Sequence, residues 1–262
     1  MKIGISSWTY PWAVGVDGHC PSRRLDALRL LERGCAMGAQ VVQIADNLPL
    51  DGSLVAPLRR AAGGIEIELG TRGTEAGNLL RYLEYAVALG SRLIRTLPSE
   101  GCTADTLRTV LPEFERERVV LAIENYECLP SVELAAIVAR LDSPWVGICL
   151  DTVNSLGALE MPEFTVKTLA PYTVNLHVKD FAIVRVPHRM GFEIAGRPAG
   201  QGRLDLPWLI DQVWSCGREP NLVLEQWPPF AGSLEETMAR EAAWAEAGMN
   251  YLKRVAAPSS RP

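Results

Sequence analysis

The sequence predicts a single (β/α)8 barrel, in which eight parallel strands form a closed cylinder inside a ring of helices. The chain has 262 residues, a length that one α/β barrel commonly fills. Eight short aliphatic runs alternate along it with stretches of helical periodicity. The runs that start at residues 41, 65, 93, 119, 146 and 174 follow one another at intervals of 24 to 28 residues. Such an interval holds one strand, one helix and two short loops, which favours repeated βα units.

The eight runs are almost continuously apolar, which is typical of parallel strands that helices cover. They are residues 2–6, 41–45, 65–69, 93–97, 119–124, 146–151, 174–179 and 222–226. No G-x-G-x-x-G motif follows the first run, which weakens the case for a dinucleotide-binding sheet. An open sheet of eight parallel strands is also less economical in connections than a closed barrel.

Between the runs, apolar residues recur at helical spacing, as in residues 25–35, 79–87 and 134–141. Thr103, Ser131 and Ser233 are predicted N-caps, and Gly90 and Gly217 are predicted C-caps. Residues 1–255 are therefore assigned to one barrel domain, and residues 256–262 to a loose C-terminal tail.

Composition restricts the partners of the protein. With 26 basic and 31 acidic residues the formal charge is −5, which argues against nucleic-acid binding through phosphates. No apolar stretch is long enough for a signal peptide or a membrane span. The six cysteines form no C-x-x-C pair, and we expect reduced core cysteines in a cytoplasmic protein. A small-molecule substrate is expected, and a homo-oligomer stays possible because no interface can be identified from the sequence.

The last four strand runs each carry one ligand-type side chain at or near their end. These are Glu124, Asp151, His177 and Glu225. On adjacent barrel strands they would converge, and three carboxylates in a partly dry pocket repel one another unless a cation neutralises them. This oxygen-dominated set predicts Mn²⁺ or Mg²⁺, with Co²⁺ possible. The alternative is that each is an unrelated strand-end residue.

Four motifs, AIEN, LDTVN, HVKD and LEQW, resemble the sugar phosphate isomerase/epimerase superfamily of xylose isomerase-like barrels over essentially the whole chain. The resemblance implies that the Glu, Asp, His and Glu of these motifs bind a divalent metal that chelates neighbouring sugar oxygens. It also implies that Glu124 and Glu225 exchange a proton with the substrate. Asn154 and Pro130 stand where the ketose 3-epimerases of this superfamily have histidine and glutamate, which puts a free-sugar epimerase in doubt. Three histidines and a net charge of −5 argue against its multi-zinc endonuclease branch.

The long connection after the seventh run, about residues 181–203, is predicted to be an anion-binding lid. It contains four arginines and His188 against the single acid Glu193, and arginine binds carboxylate or phosphate through paired hydrogen bonds. Its glycines would let the backbone approach a ligand closely. The alternative is a solvated surface loop.

Further residues of the predicted barrel mouth are assigned to substrate and catalysis. Lys179 lies two residues after His177 and faces the same side of the strand, so it is predicted to act in catalysis, or alternatively to pair with Glu225 or Asp180. Glu66 and Glu68 are predicted to be structural, with Arg72 or Arg95 as partners. The predicted substrate-binding residues are Trp8, Asn47, Arg72, Asn154, Arg185, His188 and Arg197.

The sequence thus predicts a metal-dependent sugar isomerase or epimerase that works through an enediolate, with Glu124, Glu225 and Lys179 as catalytic residues. The same site would serve a decarboxylase of a β-keto sugar acid. The segments VVQIADNLPL and IEIELGTRG and the residue 187–202 loop resemble a subgroup that includes 3-oxo-isoapionate decarboxylases. A barrel that binds a ligand without catalysis is a further alternative.

Overall fold

The structure, a computed structural model, describes residues 1–99 and 101–257. It contains a closed barrel of eight strands in the order β1-β10-β7-β6-β5-β4-β3-β2, and every neighbouring pair is parallel. The predicted (β/α)8 class and all eight predicted strands are confirmed. The barrel strands are β1 (Ile3–Ser6), β2 (Val41–Ile44), β3 (Glu66–Arg72), β4 (Leu93–Leu97), β5 (Val120–Glu124), β6 (Val146–Asp151), β7 (Thr173–Val178) and β10 (Asn221–Leu224).

Helices surround the barrel, and short 3₁₀ turns lie at Ser7–Thr9, Asn154–Ala158 and Ala170–Tyr172. The helices are α1 (Pro11–Val14), α2 (Ala27–Ala36), α3 (Gly52–Ala61), α4 (Ala76–Leu89), α5 (Ala104–Arg108), α6 (Leu111–Glu117), α7 (Ser131–Leu141), α8 (Pro162–Leu169), α9 (Leu206–Ser215) and α10 (Leu234–Val255).

Most predicted caps are confirmed. Thr103 and Ser233 accept hydrogen bonds from the first turns of α5 and α10, and Gly90 ends α4 in the left-handed conformation. The prediction for Ser131 is wrong, because it is the first residue of α7 and not its cap. Its N–H donates to the Glu160 carboxylate at 3.1 Å, so a distant acid satisfies the helix start.

The two sides of the barrel strands differ in chemistry. Aliphatic side chains such as Ile5, Leu69 and Ile123 are fully buried in the main hydrophobic core. The interior also buries polar side chains, including Gln43 and His177. These polar side chains need partners within the barrel, because a buried polar group without a hydrogen bond is costly.

The connection after β7 differs from the predicted loop. It contains an antiparallel hairpin of β8 (Asp180–Arg185) and β9 (Phe192–Arg197). The expectation for its glycines is also wrong at Gly200 and Gly202, whose N–H groups donate to Asp180 Oδ2 at 2.9 Å. A Cβ at Gly202 would lie 2.2 Å from Asp180 Oδ1, so this glycine accommodates a carboxylate of the chain itself.

All six cysteines lie in the described residues and no disulfide joins them, as predicted, but only Cys102 and Cys149 are buried. The other four are exposed, so the prediction of a core setting is wrong for them. No helix in the described residues has the length and apolar character of a membrane span. Residues 258–262 of the predicted tail lie outside the described residues, and the domain boundary at residue 255 stays a prediction.

Candidate metal centre

The structure brings the four predicted metal ligands together at the carboxyl ends of adjacent strands. Glu124 ends β5, Asp151 ends β6, His177 lies in β7, and Glu225 follows the last residue of β10. Each is at most 1% exposed. His177 Nδ1 lies 3.4 Å from Glu124 Oε2, 3.4 Å from Glu225 Oε1 and 4.0 Å from Asp151 Oδ2. The order of the strands therefore places one nitrogen among three carboxylates.

The unsatisfied atoms of these side chains fit a cation. Within the described residues, each of the four has a buried atom that makes no hydrogen bond beyond its ion pairs: Glu124 Oε2, Asp151 Oδ2, His177 Nδ1 and Glu225 Oε2. Ligand atoms of Asp151, His177 and Glu225 all lie within 4.8 Å of one another. Carboxylate oxygens with one imidazole nitrogen suit a hard divalent cation. These four residues can therefore hold such an ion.

Cys149 belongs to a second possible ligand group with Glu124 and His177. Burial raises the pKa of the Cys149 thiol well above its usual value. The thiolate is the form that binds metals, so Cys149 is a weaker candidate than Asp151 or Glu225.

Two buried cations compensate part of the negative charge. The Arg95 guanidinium contacts Glu124 Oε2 through Nε and lies 2.8 Å from Asp46 Oδ1 through Nη1. Lys179 Nζ lies 2.8 Å from Asp151 Oδ2 and 2.9 Å from Glu225 Oε2. Lys179 thus pairs with Glu225, as the structural alternative required, and with Asp151 in addition.

These contacts shift the pKa values of the centre in different directions. Burial opposes ionisation of Glu225, but His177 and Lys179 outweigh it and lower the pKa of Glu225 to about 2. For Asp151, burial and the neighbouring carboxylates prevail and raise the pKa. Burial lowers the pKa of His177, but Glu225 and Glu124 outweigh that effect, and the net shift is upward. The protein alone therefore leaves this cluster with a strong attraction for positive charge.

Three predicted substrate-binding residues lie at or near the centre. Asn154 Nδ2 donates to Glu124 Oε1 at 2.7 Å. Trp8 Nε1 donates to Asp46 Oδ1 at 3.0 Å, and Arg72 Nη2 lies 3.4 Å from Asp46 Oδ2. Because Asp46 is also bound to Arg95, Trp8 and Arg72 connect to the centre through that one carboxylate.

Asn47 has a local role, since it accepts a hydrogen bond from Ser7 Oγ at 2.5 Å and donates to Ser7 O at 3.2 Å. The amide keeps one further N–H and one further lone pair, and a role of Asn47 in substrate binding stays a prediction.

The three predicted substrate-binding residues of the hairpin contact other residues of the hairpin. Arg185 Nη1 donates to Arg189 O at 2.8 Å, and its guanidinium lies 4.2 Å from the Phe192 ring centroid. His188 Nδ1 accepts from Met190 N at 3.3 Å, and Arg197 donates to Gly196 O at 2.7 Å. A role of Arg185, His188 or Arg197 in substrate binding stays a prediction.

Three residues of the centre were not predicted as site residues: Ser6, Gln43 and Arg95. Ser6 Oγ donates to Glu225 Oε1 at 2.8 Å, and His177 Nε2 lies 2.8 Å from Gln43 Oε1. Gln43 is the single polar residue of its apolar run and Arg95 the single charged residue of its run, the same pattern that identified Glu124.

The predicted partners of Glu66 and Glu68 are wrong. Glu66 pairs with Lys2 at 2.5 Å, and Glu68 accepts hydrogen bonds from the side-chain amides of Gln43, Asn175 and Asn221. Arg72 and Arg95 are directed to Asp46. Arg72 and Arg95 thus pair with a carboxylate at the barrel mouth, and side-chain amides bind Glu68 deeper in the barrel.

Fold and site together define a parallel α/β barrel with a candidate metal centre at the carboxyl ends of its strands. Residues 23–255 match the family described as xylose isomerase-like TIM barrel, and the chain belongs to this family.

Similar proteins span almost the whole chain. The chain is 38% identical over 264 residues to 3-oxo-isoapionate decarboxylase of Pectobacterium atrosepticum, with 96% of this chain and 95% of that protein covered. Among solved structures, the IOLI protein with a bound zinc atom is 15% identical with a TM-score of 0.72, covering 97% of this chain and 98% of that one. D-psicose 3-epimerase with D-tagatose, from Clostridium cellulolyticum H10, is 15% identical with a TM-score of 0.71, covering 97% and 99%. The two structural likenesses concern the fold alone.

Proposed function

We propose that the protein is a divalent-metal-dependent decarboxylase of a β-keto sugar acid of the 3-oxo-isoapionate type. The observation that carries this proposal is the 38% identity to a decarboxylase over almost the full length of both chains. The departures at Asn154 and Pro130 from the ketose 3-epimerases weigh in the same direction. The decarboxylase, the second of the two reactions expected from the sequence, is thus preferred.

The charges of the site support an anionic substrate. Asp46, Glu124, Asp151 and Glu225 supply four negative charges, and Arg72, Arg95 and Lys179 supply three positive ones. With a divalent cation bound and His177 neutral as its ligand, these charges sum to +1, and Arg72 is the one solvent-exposed member of the set. One substrate carboxylate would neutralise this charge, and a neutral sugar would leave it uncompensated in a largely buried site.

The ligand residues have a defined task in this proposal. Glu124, Asp151, His177 and Glu225 hold the cation, and Mn²⁺ or Mg²⁺ suits their oxygen-rich set. When bound, the cation supplies a fixed positive charge beside the substrate oxygens where negative charge develops. The bond between the carboxylate and its neighbouring carbon breaks, its electron pair enters an enediolate, CO₂ leaves, and the carbon takes up a proton.

Lys179 is proposed to supply that proton and to orient the substrate. Its side chain is 16% exposed, whereas those of Asp151 and Glu225 are fully buried, so it lies on the open side of the centre. Its ammonium binds Asp151 Oδ2 and Glu225 Oε2, two oxygens that make no other hydrogen bond within the described residues. A cation that shares these oxygens would weaken their hold on Lys179 and let the ammonium face the substrate.

An isomerase or epimerase is the second candidate, because Glu124 and Glu225 both approach the centre and each lies 3.4 Å from His177 Nδ1. Two such carboxylates could move a proton between carbon atoms or faces of a ketose. This reaction differs from decarboxylation in its products and in its isotope exchange.

The test is to incubate Mn²⁺-loaded protein in D₂O with 3-oxo-isoapionate and, separately, with free ketoses. We expect CO₂ release from the keto acid with one deuterium in the product, and no exchange into the ketoses. The control is Asp151→Asn, which removes one ligand oxygen charge and should abolish CO₂ release. Deuterium uptake by a ketose without CO₂ loss from the acid would favour the epimerase, and neither reaction would favour a non-catalytic barrel.

A further inference from the structure

A row of buried polar side chains crosses the barrel interior behind the metal centre. Gln43, Glu68 and Asn175 are all fully buried. Gln43 Nε2 lies 3.1 Å from Glu68 Oε2 and 3.3 Å from Asn175 Oδ1, and Gln43 Oε1 lies 2.8 Å from His177 Nε2. Gln43 on β2 therefore connects a carboxylate on β3 to the histidine on β7.

The chemistry of Glu68 orients the Gln43 amide. Burial raises the pKa of Glu68, but its two oxygens accept three amide hydrogen bonds, from Gln43, from Asn175 Nδ2 at 2.9 Å and from Asn221 Nδ2 at 2.8 Å. Such a set of donors favours a carboxylate that only accepts. The NH₂ group of Gln43 must therefore face Glu68. Its carbonyl oxygen then faces His177, and a flipped amide would set the carbonyl oxygen against the carboxylate.

The oriented amide in turn determines the state of the imidazole. Gln43 Oε1 is an acceptor only, so His177 Nε2 must carry the proton. In neutral His177 the lone pair then lies on Nδ1, which faces Glu124, Glu225 and Asp151 at 3.4, 3.4 and 4.0 Å. Metal-binding histidines commonly have their second nitrogen fixed in this way by an outer partner.

We infer that Gln43 and Glu68 are positioning residues that hold His177 in the tautomer offering Nδ1 to the divalent cation. This inference rests on the proposed metal site. Neither residue touches the cation or the substrate, and both act through His177. His177 donates to Gln43, and Gln43 and the asparagine amides donate to Glu68. Hydrogen bonds linked in this way polarise and strengthen one another.

The first experiment measures Mn²⁺ affinity by titration calorimetry for the wild type, Gln43→Leu and Glu68→Gln. Gln43→Leu removes the acceptor, and we expect a loss of about 10- to 100-fold, as is usual for outer partners of metal ligands. Glu68→Gln preserves the size of the side chain but allows Gln43 to flip, so its loss should lie near or below the lower end of that range. If Gln43→Leu does not fold, Glu68→Gln still provides the test.

The matched control is Gln226→Leu. Gln226 is also a buried glutamine next to a predicted ligand, but its amide donates to Thr9 O and Glu241 O at 2.8 Å. This variant should unfold at a lower temperature and bind Mn²⁺ within about threefold of the wild type. Equal Mn²⁺ affinity in the wild type, Gln43→Leu and Glu68→Gln would overturn the inference.

The second experiment reads the imidazole directly by ¹⁵N NMR of histidine-labelled protein loaded with Mg²⁺. The chain has only three histidines, so the signals can be assigned with a His177→Gln variant. We expect a protonated, slowly exchanging Nε2 and an unprotonated Nδ1, with the slow exchange lost in Gln43→Leu. A protonated Nδ1 with a bare Nε2 would overturn the inference.

The two experiments separate this inference from the proposed function. If the wild type binds no divalent cation, the proposed function fails, and the Nε2 proton of the metal-free protein still tests the hydrogen bond from His177 to Gln43 on which the inference is built. Its slow exchange in the wild type and fast exchange in Gln43→Leu would support the positioning role. Equal exchange in both would refute it.

Discussion

Buried acids occur in two regions of this barrel with different partners. In the metal centre, Arg95 and His177 outweigh the cost of burial and lower the pKa of Glu124. On α10, Glu241 is fully buried, but its carboxylate accepts only the backbone N–H groups of Trp12 at 2.7 Å and Ala13 at 3.1 Å among its recorded hydrogen bonds. Burial raises the pKa of Glu241 to about 7 despite these bonds.

Burial alone therefore does not identify a reactive acid in this protein. Around Glu124, Asp151 and Glu225, unsatisfied atoms converge on one point, and cations balance part of the charge. At Glu241 both carboxylate oxygens have donors at the start of α1, which is a structural arrangement. We therefore expect substitutions in the first region to change catalysis and a substitution in the second to change stability.

The largest effect is expected for Asp151→Asn and Glu225→Gln in the metal centre. Each removes the charge of one proposed ligand and so weakens cation binding. The negative charge that develops on the substrate then has no cation beside it, and CO₂ release should fall by at least about 10³-fold. Steady-state assays with saturating Mn²⁺ measure this. Glu241→Gln is the control, with activity within about threefold of wild type. Similar activity losses in both regions would end the distinction between them.

Lys179→Met tests whether Lys179, on the open side of the candidate metal centre, is the proton donor. Loss of a proton donor usually costs about 10²- to 10⁴-fold in rate, and we expect kcat to fall within that range with a smaller change in KM. The measurement is kcat and KM for CO₂ release from the keto acid. An unchanged kcat would assign Lys179 to charge compensation only.

Metal addition should stabilise the wild type and not the ligand variants. At a free Mn²⁺ concentration of about 100 times Kd, linkage predicts about 2.7 kcal/mol, or roughly 5 to 10 °C in Tm for a chain of this size. Calorimetric melting with Mn²⁺ and with EDTA measures the shift. Asp151→Asn should melt at nearly the same temperature in both, and a shift as large as that of the wild type would contradict the assigned ligands.

Glu241→Gln should change the pH dependence of stability. The folded-state pKa of about 7 lies above the ordinary value of 4.5, so the folded protein binds the extra proton between these values. This contribution is fully present below pH 4.5 and is lost as the pH rises through about 7. Relative to wild type, the variant should gain about 2 to 3 kcal/mol between pH 5 and pH 8. Urea unfolding at both pH values measures this gain, and a pH-independent difference would refute the assignment.

The smallest effect is expected at the hairpin. The Arg185 guanidinium is held by Arg189 O and the Phe192 ring, so Arg185→Ala should change kcat/KM by less than about threefold. Arg72→Ala should change it more, since Arg72 binds Asp46. A tenfold rise in KM for Arg185→Ala alone would restore the anion-binding role predicted for the hairpin.

The sequence predicted that the four proposed ligands lie together because their positions depend only on strand order. Glu124, Asp151, His177 and Glu225 end or nearly end strands that are neighbours in any such barrel, so no detailed register was needed. The contact of Gln43 with His177 joins β2 to β7 across the interior. A sequence pattern does not reveal such a partner, because it depends on the register of all the intervening strands.

The hairpin was missed for a different reason. Phe181 and Ile183 on β8, and Phe192 and Ile194 on β9, alternate with other residues at the strand period. The arginines and glycines of the segment favour a flexible loop, and the alternation on each strand is too short to outweigh that composition. The contacts of Asp180 with Gly200 and Gly202 could not be predicted, since a carboxylate bound by N–H groups some 20 residues away depends on tertiary structure.

The most direct test of the metal centre is anomalous diffraction at the manganese edge from crystals soaked in Mn²⁺. We expect one strong peak in the centre, from a manganese ion bound by Glu124, Asp151, His177 Nδ1 and Glu225 at about 2.0 to 2.3 Å. The Lys179 ammonium should then have moved away from Asp151 or Glu225. A peak bonded to His177 Nε2, or no peak among these four residues while Lys179 keeps both contacts, would contradict this expectation.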